Sequence, residues 1–317
     1  MLTKEKNPMS EIFTFKRFEK PVIASDYINI YKPKADVYKG VDTLNFKSGT
    51  LYENWTTNDF THIYKDGVWH IIGITHPKPP LFISPFEYGE GAHEAEYQLF
   101  HCTAKGEKFS DVFFEDSFKD EEKLLYPAER PGELPEIWAP HVEKVGDEYH
   151  LIYSPKVMRY AKSKDLYNWE QGEILFECKT TMGRDPFLFT DDDGTKYLLF
   201  CEDNYVKYRK TVDMVNWSEE YILQTNPYKN GASESPYMMK RNGVYYLMWC
   251  LCDNLNGCYD NRTFVFASET MDGFEGISPV TMLEGHAPEF LTDGDKTYIL
   301  SVFCPNNGIS CARIEWV

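Results

Sequence analysis

The 317-residue chain is poor in several features, and each absence excludes something. No apolar run approaches the roughly 20 residues that a membrane-spanning helix requires. No amphipathic pattern of helical period persists beyond a turn or two, which argues against helical bundles and coiled coils. Positive charge is scarce: 33 Lys and Arg face 50 Asp and Glu, for a net charge of −17. Such a field repels phosphate backbones and anionic lipid, so nucleic acid and membranes are excluded as expected partners, while a neutral ligand is unaffected. The eight cysteines (Cys102, Cys178, Cys201, Cys250, Cys252, Cys258, Cys304 and Cys311) include no C-x-x-C pair. They read as reduced, mostly buried thiols rather than a disulfide frame or metal site. The first twenty residues carry Lys4, Lys6, Lys16, Arg17 and Lys20 without an apolar leader segment, so the expected location is cytoplasmic. Tyr88-Gly-Glu-Gly91 lacks the third glycine of a dinucleotide fingerprint, and Asp191-Asp-Asp-Gly194 lacks the glutamate that closes a calcium loop.

Aromatic residues, by contrast, are abundant: 22 Tyr, 21 Phe and 7 Trp. They favour pleated, half-buried surfaces and supply flat platforms for ligands. They are organised by a repeat in which a polar residue opens a short apolar strand, a glycine turn follows, and an aromatic-rich strand returns. The copies begin at Asp59, Trp138, Asp185, Glu234 and His286, and their turn glycines are Gly67, Gly146, Gly194, Gly243 and Gly294. The intervals between glycines are 79, 48, 49 and 51 residues. A period of about 50 fits one four-stranded propeller blade per copy.

A second marker keeps the same step: Ser163-Lys-Asp165-Leu-Tyr-Asn-Trp169 returns as Thr211-Val-Asp213-Met-Val-Asn-Trp217, and more loosely at Ser268 to Phe274. The Asp is expected to make a turn, and the aromatic residue to pack between neighbouring sheets. The expectation is therefore an all-β chain, one five-bladed β-propeller over residues 1–317, with four-stranded antiparallel blades around a central funnel. Residues 1–49 form an N-terminal segment, and the excess length of the first interval is assigned to a long loop insertion over 77–136.

A propeller gathers the first strands of its blades around the axis, so Asp59, Trp138, Asp185, Glu234 and His286 are expected to converge at equivalent positions. Two carboxylates flanking a glycosidic bond suffice for its hydrolysis, one protonating the leaving oxygen and the other activating water or attacking carbon. A third raises the pKa of its neighbours and keeps the acid protonated. Trp138 offers a face for sugar stacking, and Arg184 a fork of donors for hydroxyls and carboxylates. Trp55 and His93 lie in or before loops that would form an outer sugar subsite, and His62 lies close to Asp59. Asn58 should point away from Asp59 unless a bulge intervenes.

These segments resemble a known group. Trp55-Thr-Thr-Asn58-Asp59-Phe60, Ile137-Trp-Ala-Pro140, Arg184-Asp-Pro186, Glu234-Ser-Pro236 and Gly285-His286 are similar, in order and spacing, to the motifs of the five-bladed propeller glycosidases. Glycoside hydrolase family 43 is the nearest, with families 32, 62, 68 and 117 related. The resemblance implies a glycosidase acting on an arabinoside, xyloside, galactofuranoside or fructoside linkage of an oligosaccharide. It implies Asp59 as general base, Glu234 as general acid and Asp185 as modulator and orienter, with exo action and inversion of configuration. The alternatives are a retaining enzyme with Asp59 as nucleophile, as in families 32 and 68, or a non-catalytic glycan-binding propeller. The resemblance also places His286 beneath the pocket, where it would order water or a structural calcium ion; no cofactor is required. Phe60 and Ser235 depart from the Pro and Gly of the usual motifs. The oligomeric state is left open.

Overall fold

All five turn glycines adopt the left-handed backbone that such turns demand, with φ of 81, 66, 84, 77 and 64° at Gly67, Gly146, Gly194, Gly243 and Gly294. In this computed structural model, which describes residues 18–78, 95–228, 231–253, 258–303 and 308–317, each turn joins the inner strand of a blade to its second strand. Blade one comprises Trp55–Lys65, Val68–Pro77, Gln98–Lys105 and Lys119–Asp120, and blade two Trp138–Val145, Glu148–Ser154, Val157–Ser163 and Glu170–Glu177. Blade three comprises Arg184–Thr190, Lys196–Glu202, Tyr205–Thr211 and Tyr221–Thr225, and blade four Gly231–Arg241, Val244–Asp253, Cys258–Ser268 and Thr281–Glu284. Each is an antiparallel meander, and the inner strands pack side by side around the axis.

The fifth blade is closed from the other end of the chain. Its strands His286–Asp293, Lys296–Val302 and Ile309–Trp316 are completed by Pro21–Ile23 and Ile28–Tyr31, both pairing with Ile309–Trp316. The N-terminal segment is thus part of the ring, a role its short strands gave no periodicity to announce. Tyr31 extends the tie to blade one, stacking on Phe100 with centroids 5.2 Å apart and donating to Asp120 Oδ1 at 2.7 Å. Thr57 and Gly308 exchange hydrogen bonds of 3.0 and 2.8 Å across the same seam.

The core is distributed among wedges. Separate apolar clusters fill the spaces between blades one and two, two and three, three and four, four and five, and five and one. The second sequence marker behaves as expected: the amides of Tyr167 and Asn168 donate to Asp165 Oδ1, both at 2.8 Å, and those of Val215 and Asn216 to Asp213 Oδ1 at 2.9 and 2.8 Å. Trp217 of blade three then meets Phe176 of blade two edge-on at 5.7 Å. Cys102, Cys178, Cys201, Cys250 and Cys311 carry free thiols. Among the described residues no helix is long and apolar enough to cross a membrane.

The stretch 77–136 is not a single loop. It holds the third and fourth strands of blade one, whose short outer strand escaped the period-two pattern. Residues 79–94 lie outside the described residues.

Candidate active site

Every inner strand carries a β-bulge at the same height. The pairing of each with its second strand skips two residues: Asn58-Asp59, Ala139-Pro140, Asp185-Pro186, Ser235-Pro236 and Ala287-Pro288. Four of these begin with a non-glycine residue in left-handed backbone, at Ala139, Asp185, Ser235 and Ala287, with φ between 37 and 59°. Proline follows each of the four, as suits a position that donates nothing to the ladder. Such strain persists only where surrounding structure enforces it, and it clusters at functional sites. A small cavity of about 30 Å³ lies at this ring and is lined by bulge residues of all five blades together with Phe60, Phe187 and Glu289.

The bulges correct the expectation of equivalent positions. Glu234, Trp138, Arg184 and His286 are the last paired residues before their bulges, whereas Asp185 is the first bulged residue of its strand and Asp59 the second. The carboxylates nevertheless meet, because a bulge re-aims side chains that a regular pleat would send apart. Asn58 and Asp59 accordingly face the same cavity. That cavity, of about 260 Å³, is lined by Asn58, Asp59, Trp138, Arg184, Asp185 and Glu234, with Ile74, Glu96, Met182, Ala232 and Cys252 completing its wall.

Within it, Arg184 is the organising cation. Its Nη2 donates to Glu234 Oε1 at 3.1 Å, and its Nε stands 3.5 Å from Asp185 Oδ2. Backbone carbonyls of Met182 and Ser233 accept its remaining donors at 3.1 and 3.2 Å. Ser235 links two of the acids: its amide donates to Asp185 Oδ2 at 3.0 Å, and its hydroxyl to Asp59 Oδ2 at 3.1 Å. Asp59 Oδ1 and Glu234 Oε2 are left without a hydrogen-bond partner among the described residues.

His286, fully buried, sits behind both, its Nε2 3.7 Å from Asp59 Oδ1 and 3.8 Å from Glu234 Oε2. Those lengths exceed hydrogen bonds, so the imidazole spaces the two acids rather than binding them. Because both oxygens flank one nitrogen at these distances, they lie no more than about 7.5 Å apart, a ceiling compatible with the ~5–5.5 Å of retaining and the shorter part of the ~6.5–9.5 Å of inverting carboxylate pairs.

Three carboxylates and one guanidinium in a buried site cannot all be charged at low cost. Burial, reinforced by the charge of Glu234, pushes Asp59 up to about 7. Burial also pushes Asp185 up, to about 8, with Arg184 opposing and the charges of Asp59 and Glu234 adding to the rise. Burial acts against the Arg184 charge, but Asp185 and Glu234 outweigh it and hold the guanidinium protonated. The cluster therefore retains a proton near neutral pH, and that proton belongs to the group as a whole.

Several residues fall elsewhere than expected. Trp55 is buried among Tyr38, Phe46, Ala95 and Tyr97 and does not line the cavity, because the N-terminal segment covers it. His62 lies below the bulge ring, its Nε2 donating to the Phe290 carbonyl at 3.2 Å and standing 3.7 Å from Glu289 Oε2. It is a half-buried residue that does not line the 260 Å³ cavity. Burial depresses it to about 4, leaving it neutral. His93 lies outside the described residues. Glu96 and Glu289 were not anticipated: the first sat in a stretch read as loop, and the second followed a His-Ala-Pro element that drew attention to His286. Burial, with Asp59 nearby, pushes Glu289 well above the usual carboxylate range.

Two carboxylate oxygens, Asp59 Oδ1 and Glu234 Oε2, flank His286 Nε2; calcium takes six to eight oxygen ligands, so water would supply the rest of any calcium shell there. Among the described residues no group of three or more His, Cys, Asp and Glu side chains is arranged to hold a metal ion.

Comparison with known proteins agrees with this geometry. The model of the "Glycosyl hydrolases family 43" matches residues 119–273. A beta-D-galactofuranosidase, xynD, of Aspergillus niger is 33% identical over 123 residues, which cover 37% of this chain and 36% of that protein. The chain thus spans about a third of that relative's length. Among solved structures, the fold is similar to an exo-1,5-alpha-L-arabinanase from a bovine ruminal metagenomic library (TM-score 0.58, 15% identity, covering 82% of this chain and 92% of that one). It is also similar to the catalytic domain of the GH62 alpha-L-arabinofuranosidase of Coprinopsis cinerea (TM-score 0.59, 14% identity, covering 90% and 95%). The chain has the fold of the five-bladed propeller glycosidases, and from the outer strand of blade one to the third turn of blade four it carries the sequence signature of family 43.

Proposed function

We propose that this chain is a glycoside hydrolase releasing a neutral furanosyl or pentopyranosyl unit from the end of an oligosaccharide, with inversion. The observation that carries this reading is the meeting, in one cavity, of buried carboxylates from three different blades, two of them flanking His286 and each with one oxygen free of protein hydrogen bonds. In the proposed reaction Glu234 gives a proton to the glycosidic oxygen as the bond to the anomeric carbon breaks. Water attacks that carbon from the opposite face, and its proton passes to Asp59. Asp185 holds the Ser235 amide and the Arg184 guanidinium, and so orients both partners.

Galactofuranosyl and arabinofuranosyl substrates are favoured by the similar proteins described above, and xylosides and fructosides stay within the same reading. A cavity of about 260 Å³ falls just below the ~300–1,000 Å³ typical of pockets for drug-sized ligands, which suits a single ring and exo action.

The test is turnover of a panel of aryl arabinofuranosides, xylosides, galactofuranosides and fructosides, with the first-formed anomer followed by NMR. Glu234→Gln should abolish hydrolysis of substrates with poor leaving groups while sparing activated aryl glycosides, which need no protonation to depart. Equal loss on both, or loss on neither, would remove Glu234 from the acid role. A first-formed anomer of retained configuration would make Asp59 the nucleophile.

A further inference from the structure

Glu96 stands in the cavity wall as a fourth carboxylate, on the segment leading into the third strand of blade one, and is 1% exposed. Its backbone is pinned from two sides. The Glu96 carbonyl accepts the amide of Ile137, which leads into blade two, at 2.9 Å. Its neighbours Ala95 and Tyr97 pack into the aromatic cluster of Tyr38, Phe46 and Trp55. A carboxylate is thus held rigidly at the mouth of the blade, close enough for its charge to raise Asp59 further.

We infer that Glu96 is a sugar-binding residue that sets specificity, its carboxylate accepting hydrogen bonds from adjacent hydroxyls of the terminal sugar. Ionised carboxylates only accept, and sugar hydroxyls are the donors that match them. The same charge, added to the net negative charge of the cluster formed by Asp59, Asp185, Glu234 and Arg184, excludes a sugar bearing its own carboxylate. The substrate class this selects is a neutral sugar with a pair of neighbouring hydroxyls on the side facing blade one. The inference rests on the glycosidase reading above and deepens it.

The experiment compares wild type, Glu96→Gln and Glu96→Asp on the aryl glycoside that wild type turns over best, on analogues of it lacking one ring hydroxyl, and on the corresponding uronide. Loss of hydrogen bonds to a charged group should lower kcat/KM of Glu96→Gln on the order of 10- to 100-fold, with partial recovery in Glu96→Asp. At one or two hydroxyl positions the penalty of deoxygenation should be large in wild type and nearly vanish in Glu96→Gln, because the two changes delete the same contact. Discrimination against the uronide should relax in Glu96→Gln. A variant within twofold of wild type on the full sugar, or deoxygenation penalties equal in both proteins, would overturn the assignment while leaving the glycosidase reading intact. Wild type that hydrolyses nothing in the panel would overturn both. Should Glu96→Gln fail to fold, wild type and Glu96→Asp still decide: absence of any hydroxyl position costing tenfold, or equal turnover of the uronide, counts against it.

Discussion

Replacing Asp59 by Asn should abolish activity at every pH, and should make the protein more stable only above a particular pH. In the unfolded chain this side chain titrates near 3.8, and in the folded site at about 7, chiefly because burial disfavours its charge. Between those values the folded protein holds a proton that the unfolded chain has released, so stability falls as pH rises through the interval. Below about 4 nothing is lost. Above about 7 to 8 the loss is complete and constant.

Each pH unit of the interval corresponds to about 1.36 kcal/mol, so ionised Asp59 costs the fold up to roughly 4 kcal/mol in alkaline solution. Placing an amide where the neutral acid sat offsets part of this, and relief of Asp185, which the Asp59 charge raises, restores part, so the expected gain of Asp59→Asn is roughly 2–4 kcal/mol. The asparagine carbonyl can still accept the hydroxyl of Ser235, so the shape of the site is kept. Thermal unfolding of wild type and variant at pH 4.5 and pH 8.5 is the assay. At about 2 °C per kcal/mol for a chain of this size, the variant should melt roughly 4–8 °C higher at pH 8.5. It should stand within a degree or two of wild type at pH 4.5, and have no measurable hydrolysis at either. A variant no more stable than wild type at pH 8.5, or one stabilised equally at both, would refute the reasoning that the site holds its acids against the preference of the fold.

The remaining predictions concern the supports of the site. Ser235→Ala removes a hydrogen bond that favours ionised Asp59, so the acidic limb of the pH–rate profile should move upward by about half to one unit with little change in the maximum. An unmoved limb would show that Asp59 does not set it. Tyr31→Ala empties a buried space at the seam and orphans Asp120, and should cost about 3–5 kcal/mol by denaturant titration. A loss below about 1 kcal/mol would mean the seam carries little of the stability.

Much of the architecture can be read from residues whose physics is local. A left-handed turn needs glycine, and five glycines at blade spacing announce five hairpins. The Asp of the outer marker caps its own turn with its own side chain, so Asp165 and Asp213 are legible for the same reason. What stays hidden depends on partners distant in the chain. Pro21–Ile23 and Ile28–Tyr31 are strands only because Ile309–Trp316 lies beside them. Trp55 looks like an exposed platform until the aromatic cluster of the N-terminal segment buries it. The carboxylates of Asp59, Asp185 and Glu234 are easy to nominate by type. Their offsets are not, because a bulge leaves no pattern in composition and shifts the facing of every residue around it. Glu96 escaped for a simpler reason: its stretch is dense in Pro, Gly and acidic residues, and only the folded blade shows which one turns inward.

Closing the ring with residues 21–31 has a consequence for how the molecule comes into being. On a ribosome these strands emerge first, yet their partners at 309–316 emerge about 280 residues later. Ile30 and Tyr31, which end fully buried, must wait through the synthesis of about 280 further residues without the surface that covers them. Contacts so remote in sequence are slow to form, and the waiting chain is open to misassociation. The blade that these strands close is also the one that brings His286 behind Asp59, so the backing of the candidate site is complete only when the circle is shut.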